Sequence, residues 1–184
     1  MRHGGSGSSA RKPPHRRLYS PAERMRRDAT RWTLVQGLLA PFQFLVFLVS
    51  VVLVLRYLAT GAGEQAATVS IVVKTLTLYT IMVTGAIWEK VVFGQYLFAP
   101  AFFWEDAVSM VVIALHTAYL WALLTDALAV SQLMTLALVA YAAYVVNAAQ
   151  FVWKLRMARL DAAVGHASGA PDSSFPLESG VPAR

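Results

Sequence analysis

Four long apolar blocks dominate the chain. They run from Thr33 to Leu55, from Gln65 to Trp88, from Ala107 to Thr125 and from Ala127 to Trp153. Each block reaches the ~20 residues that a helix needs to cross ~30 Å of hydrocarbon. Membrane-spanning strands are shorter and alternate apolar with polar residues, which these blocks do not. The pattern therefore predicts an all-α integral membrane protein with four transmembrane helices. The predicted spans are about 33–57, 67–89, 105–125 and 129–153.

Shorter segments flank this predicted transmembrane domain of residues 33–160. Ser20, Pro21 and Glu23 follow the order of an N-cap, a first helical residue and a capping-box acid. Together with the neighbouring arginines, they predict an amphipathic helix over residues 18–32 that lies on an anionic membrane face. The Gly/Ser- and Pro/Arg-rich arm (1–17) and the tail (161–184) have compositions typical of disorder.

The connection between the second and third spans is unusual. Val91 to Trp104 carries no charge, is rich in aromatic residues, and contains Gly94 and Pro100 as helix breakers. It is too short to span a bilayer and too apolar for a solvated loop. We expect an aromatic interfacial segment. An aromatic belt explains it without any function, and one wall of a flat hydrophobic ligand site is the alternative.

Composition and charge narrow the class of protein. Hydrophobic residues make up 57% of the 184 residues and charged residues 14%, which excludes an ordinary soluble enzyme. The net charge is +6, and nine of the 16 Lys and Arg residues fall in the first 31 positions. Because this basic arm leads into an apolar block and no nucleic-acid-binding motif accompanies it, we expect a lipid bilayer and no nucleic acid as partner. The absence of cysteine excludes disulfides and Fe–S clusters.

The charges also predict a topology. Loops 59–67 and 125–131 contain no Lys or Arg, whereas the arm, Lys90, Lys154 and Arg156 lie at the other ends of the spans. The positive-inside rule therefore predicts a multi-pass protein with both termini in the cytoplasm.

Polar residues inside the spans are candidates for function, because burying them in hydrocarbon costs free energy. Helical periodicity gives each span one polar face. Most of these residues lie near the predicted cytoplasmic ends: Trp88, Glu89, Lys90, Glu105, Asp106, Asn147, Gln150 and Lys154. Lys74 and His116 lie deeper, ~10 Å from the outer face at 1.5 Å per residue.

The three carboxyl groups near the aromatic segment suggest general acid and base catalysis, with one group kept protonated. The alternative is that Glu89, Glu105 and Asp106 only mark helix ends at an interface. His116 is the only histidine within a span, which disfavours a bis-histidine haem. It could ligate the magnesium of a chlorin, carry a proton or bond another helix. Lys74 could pair with an acid, bind an anion or extend towards the interface.

Three stretches of sequence allow a more specific interpretation. Residues 18–50, 74–120 and 143–161, and most specifically the tract VTGAIWEKVVFGQYLFAPAFFWEDAVSM, resemble the 3-vinyl bacteriochlorophyllide hydratase family of photosynthetic bacteria, formerly named 2-vinyl. The resemblance implies addition of water to the C3-vinyl group of chlorophyllide a or a related bacteriochlorophyllide. The product carries a 3-(1-hydroxyethyl) group and belongs to bacteriochlorophyll biosynthesis. The resemblance also implies that the protein is located in the inner, photosynthetic membrane of a bacterium. Magnesium belongs to the chlorin substrate, so we expect no cofactor and no metal site of the protein's own.

Roles for the candidate residues follow as hypotheses. Hydration begins with a proton on the terminal vinyl carbon, and a base then activates water. Glu105 would be the general acid, and Glu89 or Asp106 would activate water or keep Glu105 protonated. The substrate-binding candidates are Trp88, Tyr96, Phe103 and Trp104 for stacking, Lys90 or Lys154 for the propionate, Asn147 and Gln150 for the polar lining, and His116 as a possible axial magnesium ligand.

Other interpretations of the function stay open at this point. A non-enzymatic chlorophyllide carrier or a photosynthetic assembly protein would use the same apolar segment and His116 without needing acids. A small transporter is disfavoured, because the acids lie at the interface and no internal repeat is visible. A homo-oligomer or a complex with other pigment-pathway enzymes is possible.

Overall fold

The computed structural model describes residues 18–167, with side chains through residue 160. Within these residues it contains five helices and no strand. They are α1 (Pro21–Ala29), α2 (Arg31–Thr60), α3 (Glu64–Phe93), α4 (Phe103–Leu124) and α5 (Val130–Ala167). The predicted disordered arm (1–17) and the part of the predicted tail from residue 168 onward lie outside the described residues.

Helices α2 to α5 are each long and apolar enough to cross a membrane. Many of their large apolar side chains, such as Leu45, Val52 and Val83, are exposed on the outside of the bundle, as expected where helices face lipid rather than water. This confirms the prediction of an all-α membrane protein with four transmembrane helices. An even number of crossings brings the chain back to the side from which it entered.

The helix bounds differ from the predicted spans in places. Helix α2 begins at Arg31, directly after the cap residue Thr30, and α3 continues to Phe93, so only residues 94–102 of the aromatic segment are not helical. Helix α5 runs to Ala167, past residue 161, where the sequence predicted the tail to begin. Alanines in this stretch have the highest helix propensity of any residue.

The start of α1 has the predicted capping box. The Glu23 N–H donates to Ser20 Oγ at 3.3 Å, and the Ser20 N–H donates to Glu23 Oε2 at 2.7 Å. No residue of α1 is buried, which suits a helix lying on a surface. Tyr19, just before the cap, anchors this helix by stacking on Phe93 with ring centroids 5.8 Å apart.

The bundle consists of two helical hairpins, because α2 packs mainly against α3 and α4 mainly against α5. Between them, Phe47 packs against Tyr141 and Tyr144, and Ser50 Oγ lies 2.5 Å from Tyr141 Oη. Lys74 Nζ lies 3.8 Å from the centre of the Tyr144 ring. We call this region the central seam. Its members are Gln43, Phe47, Ser50, Lys74, His116, Tyr141, Tyr144, Asn147 and Gln150.

Candidate functional site

Two carboxyl groups fold the connection 94–102 onto the ends of α3 and α4. Gly94 ends α3 in the left-handed conformation with φ 87°, which turns the chain away from the helix axis. The Phe98 N–H then donates to Asp106 Oδ2 at 2.7 Å, and the Ala99 N–H donates to Glu89 Oε2 at 3.3 Å. The loop backbone is therefore held by the same acids that the sequence singled out as catalytic candidates.

Glu89, Glu105 and Asp106 form what we call the carboxyl cluster. Their exposed fractions are only 6%, 6% and 3%. Glu89 comes from the last turns of α3 and Asp106 from the first turn of α4, and their carboxyl groups lie within hydrogen-bonding reach of each other. A hydrogen bond between two carboxyl groups requires that one of them carries the proton. This pair can therefore hold one proton beside one acceptor.

Glu105 lies in a different environment within the cluster. Its Oε2 is 2.5 Å from Lys154 Nζ, and Lys154 also donates to the carbonyl oxygen of Ala101. The lysine thus reaches from α5 to the beginning of α4 and neutralises this acid. A carboxylate that is ion-paired with an ammonium group has no proton to donate. The geometry therefore favours the Glu89–Asp106 pair for the general-acid role that we predicted for Glu105.

Aromatic residues near the cluster divide into a packed set and an exposed set. Phe102 is buried, with its ring 5.7 Å from Trp88 and 6.1 Å from Phe151. Trp88 also donates from Nε1 to Thr33 Oγ1 at 3.0 Å. This tryptophan, predicted to stack on a ligand, is therefore engaged in packing and in tying α3 to α2.

The exposed set is formed by Tyr96, Phe103 and Trp104, which we call the loop face. Their exposed fractions are 60%, 47% and 72%. Lys90 is exposed beside Tyr96, donating from Nζ to the Gly94 carbonyl oxygen at 2.8 Å and lying 5.2 Å from the Tyr96 ring centre. An apolar ring surface with one adjacent cation thus lies next to the buried carboxyl cluster.

Lys74 and His116 are completely buried in the central seam. Lys74 lies over the Tyr144 ring, and the His116 ring lies 5.9 Å from the ring of Tyr141, three residues earlier on α5. His116 Nδ1 is 2.8 Å from the Val112 carbonyl oxygen. Because a carbonyl only accepts, Nδ1 carries the hydrogen there and Nε2 keeps its lone pair. Neither Nε2 nor Lys74 Nζ has a hydrogen-bond partner among the described residues.

Glu105 and His116 share the buried face of α4, with buried Ser109 between them, as the periodicity predicted. Eleven residues separate them, which corresponds to ~16 Å along the axis. Asn147 Nδ2 bonds Ser109 Oγ at 2.8 Å and joins α5 to α4. Gln150 lies one turn further along α5, between Asn147 and Lys154.

The sequence analysis missed two residues that shape this site, Tyr19 and Phe102, which form one small buried cluster with Val92. Tyr19 immediately precedes the helix cap, where an apolar residue commonly packs back on a neighbour, and that position could have identified it. Phe102 carried no signal that separates it from Phe103. No group of three His, Asp or Glu residues that could hold a metal ion occurs in the described part of the chain.

Comparisons with known proteins bear on this site. The family model described as 2-vinyl bacteriochlorophyllide hydratase (BCHF) matches residues 19–157. The chain is 74% identical to the 2-vinyl bacteriochlorophyllide hydratase of Cereibacter sphaeroides over 148 residues, which cover 80% of this chain and 92% of that protein. It is 68% identical to the protein of the same name from Rhodobacter capsulatus over 156 residues, covering 85% of this chain and 91% of that protein. No solved structure matches the chain significantly. The chain therefore belongs to the 2-vinyl bacteriochlorophyllide hydratase family.

Proposed function

We propose that this hydratase adds water to the C3-vinyl group of chlorophyllide a or a related bacteriochlorophyllide and forms the 3-(1-hydroxyethyl) product. The similarity to named hydratases over most of their length supports the activity. The observation that carries the chemistry is the proximity of two buried carboxyl groups, Glu89 and Asp106, beside exposed aromatic side chains. A carrier would need the aromatic surface without the acids.

The proposed mechanism uses the Glu89–Asp106 pair as both acid and base. The protonated member donates its proton to the terminal vinyl carbon as the π bond breaks. The resulting cation lies next to the macrocycle, whose π system spreads the charge. A water oxygen then bonds to the cationic inner vinyl carbon, which is attached to the macrocycle, and a water proton passes to the carboxylate member. The pair ends with the proton count that it had at the start, so one water is consumed and no other reactant is needed.

Glu105 and Lys154 serve this mechanism as positioning residues. Their ion pair, together with the bond from Lys154 to the Ala101 carbonyl, fixes the start of α4 and hence Asp106. Because Lys154 is already occupied, Lys90 is the better candidate for the substrate's propionate. Its ammonium is exposed beside the loop face.

The chlorin would stack on the loop face, formed by Tyr96, Phe103 and Trp104. We propose that the only magnesium involved is the one in the substrate and that no cofactor takes part. His116 lies ~16 Å along the helix from Glu105. That separation is larger than the distance from a chlorin's magnesium to its vinyl group. His116 is therefore poorly placed to ligate the metal while the vinyl group meets the carboxyl cluster.

We also propose the inner, photosynthetic membrane of the cell as the location, with both termini in the cytoplasm. Most basic residues lie at the end of the bundle that holds the termini and Lys90, Arg56 near the end of α2 being the exception, and loops 59–67 and 125–131 have none. Because the chain lacks cysteine, single variants can report the topology. A membrane-impermeant maleimide added to intact spheroplasts should label Ala62→Cys and spare Ala22→Cys. The reverse pattern would contradict the orientation.

The test of activity is incubation of solubilised protein with chlorophyllide a. We expect a product heavier by one water and a blue shift of the red absorption band, because the vinyl group leaves conjugation. Glu89→Gln and Asp106→Asn should each lower kcat by ~100-fold or more. Glu64→Gln, an exposed acid at the opposite end of α3, is the matched control and should keep its turnover. Bound pigment of unchanged mass in folded wild-type protein would support a carrier instead.

A further inference from the structure

The central seam contains buried polar atoms that nothing in the described residues satisfies. Gln43 Oε1, Lys74 Nζ, His116 Nε2, Asn147 Oδ1 and Gln150 Oε1 are all shielded from solvent and have no hydrogen-bond partner. Native proteins satisfy almost all buried polar atoms, because an unmade hydrogen bond in a low-dielectric interior costs free energy. Five such atoms in one region of the bundle indicate that a hydrogen-bonding ligand binds there.

The order of these side chains along their helices places them in a row that leads to the carboxyl cluster. On α5, Tyr144, Asn147 and Lys154 follow at helical spacing along one stripe, and Gln150 lies beside it. At the deep end of that stripe, Lys74 lies over the Tyr144 ring, and the His116 ring packs against neighbouring Tyr141. At its other end, Lys154 meets Glu105.

Helix α2 joins the same row. Gln43 lies one turn from Phe47, and Phe47 packs on Tyr144 with ring centroids 4.9 Å apart. The row therefore draws on side chains from all four spans and covers the ~16 Å between His116 and Glu105.

The chemistry of the row identifies its ligand. Gln43 Oε1, Asn147 Oδ1 and Gln150 Oε1 are acceptors, and so is His116 Nε2, because the hydrogen of this ring is on Nδ1. Among these five unpartnered atoms, only Lys74 Nζ is a donor. The polar groups of the chlorin substrate are carbonyl, ester and carboxylate oxygens, which also only accept. Water both donates and accepts, and buried waters typically make about three hydrogen bonds each.

We infer that the central seam binds a file of water molecules running from Lys74 and His116 to the carboxyl cluster, and that this file supplies the water consumed by the reaction. The second part of this inference, that the file supplies the water consumed, rests on the proposed function. A chlorin stacked on the loop face would cover the carboxyl cluster, whose three acids are already almost completely buried. Water for each turnover then has to come from inside the bundle.

The water file can be tested without any turnover. Radiolysis of water by a short X-ray pulse produces hydroxyl radicals where the water is, so side chains beside internal water become oxidised even when buried. With the full chain in lipid nanodiscs, we expect Tyr144 to be labelled in the wild type and to lose most of its label in Lys74→Met/His116→Phe. Replacing buried polar groups by apolar groups of similar shape is often tolerated. Thr80→Val, a lipid-exposed polar-to-apolar change on α3, should leave the label unchanged. Equal labelling of Tyr144 in wild type and double variant would overturn the inference.

Kinetics test the supply of water. We expect Lys74→Met and His116→Phe to lower kcat by about tenfold or more, with KM unchanged. His116→Gln, which keeps a polar atom near the position of Nε2, should recover part of that loss. If only the proposed function is wrong, Tyr144 of the wild type will be labelled but the protein will not hydrate chlorophyllide. Loss of chlorophyllide binding in His116→Phe with unchanged Tyr144 labelling would assign His116 to the substrate's magnesium and overturn the file.

Discussion

At the scale of single residues, the ion pair between Glu105 and Lys154 has the largest consequences. The side chains are 8% and 23% exposed, so their charges are screened only weakly. Removing one partner of such a pair leaves the other charge buried without compensation, whereas removing both is far less costly. Stability and catalysis therefore respond differently to changes at this pair.

We predict that Lys154→Met lowers the free energy of unfolding by about 2 kcal/mol, and that adding Glu105→Gln restores most of that loss. The test is the Tm of the wild type, the single variant and the double variant, measured in the same detergent. Equal Tm values for the single and the double variant would show that the pair does not behave as a buried ion pair. The double variant should still have a lower kcat than the wild type, because the start of α4 is no longer fixed.

At the scale of an element, the connection 94–102 depends on a backbone conformation at its start. Gly94 has φ 87°, and a Cβ added there would meet no atom within 4 Å. The cost of a side chain at this position is therefore one of backbone strain and not of collision.

We predict that Gly94→Ala lowers the free energy of unfolding by ~1 kcal/mol and also lowers kcat, because the N–H groups of Phe98 and Ala99 shift away from the carboxyl cluster. Gly37→Ala is the matched control. Gly37 lies within α2 in equally open space, so alanine should raise helix propensity and stabilise by ~0.5–1 kcal/mol. Two variants with the same sign of change in Tm would contradict this explanation.

The docking of α1, which lies outside the spans, makes the stability of the protein depend on pH. Burial raises the pKa of the Tyr19 phenol, and the nearby Arg27 guanidinium opposes this shift only in part. Because the folded state favours the neutral phenol, its stability contribution is complete below the ordinary pKa of ~10 and decreases as the pH rises beyond it. We predict that Tm falls more steeply above pH ~10 in the wild type than in Tyr19→Phe. That variant keeps the stacking on Phe93 and cannot ionise. Parallel Tm curves would exclude this role of Tyr19.

At the scale of the whole molecule, the exposed tryptophans mark the two ends of the bundle. Trp104 and Trp153 are 72% and 71% exposed near the carboxyl cluster, and Trp121 is 63% exposed near the end of α4. Tryptophan favours the membrane–water interface, since its ring is apolar and its N–H is polar.

We predict that lipids brominated near the headgroup quench tryptophan emission more strongly than lipids brominated at the chain ends. The experiment uses the full chain in nanodiscs. Trp121→Phe should reduce headgroup quenching without abolishing it, since Trp104 and Trp153 lie at the opposite interface. Stronger quenching from the chain ends would contradict the placement of these residues.

Whether an interaction could be predicted from the sequence depended on how far apart its two residues lie along the chain. The capping box at Ser20 and Glu23 involves neighbours three residues apart, and the structure has it as predicted. Periodicity correctly placed Glu105 and His116 on one buried face of α4. The ion pair that Glu105 forms was not predicted, because its partner Lys154 lies 49 residues away. The bond from Trp88 to Thr33, 55 residues away, was likewise not predicted, and the stacking of Trp88 on a ligand stays a prediction.

The sequence by itself determined that this is a four-span helical membrane protein, because an apolar block of ~20 residues has only one environment that satisfies both its side chains and its backbone. The resemblance of its tracts to a hydratase family determined the class of reaction. Only the tertiary structure decided which polar residues meet. It paired Glu89 with Asp106 and Glu105 with Lys154, and it gathered unsatisfied polar atoms into one seam. The physical reason is that periodicity specifies which face of a helix is buried, whereas the packing of the two hairpins specifies which neighbour that face meets.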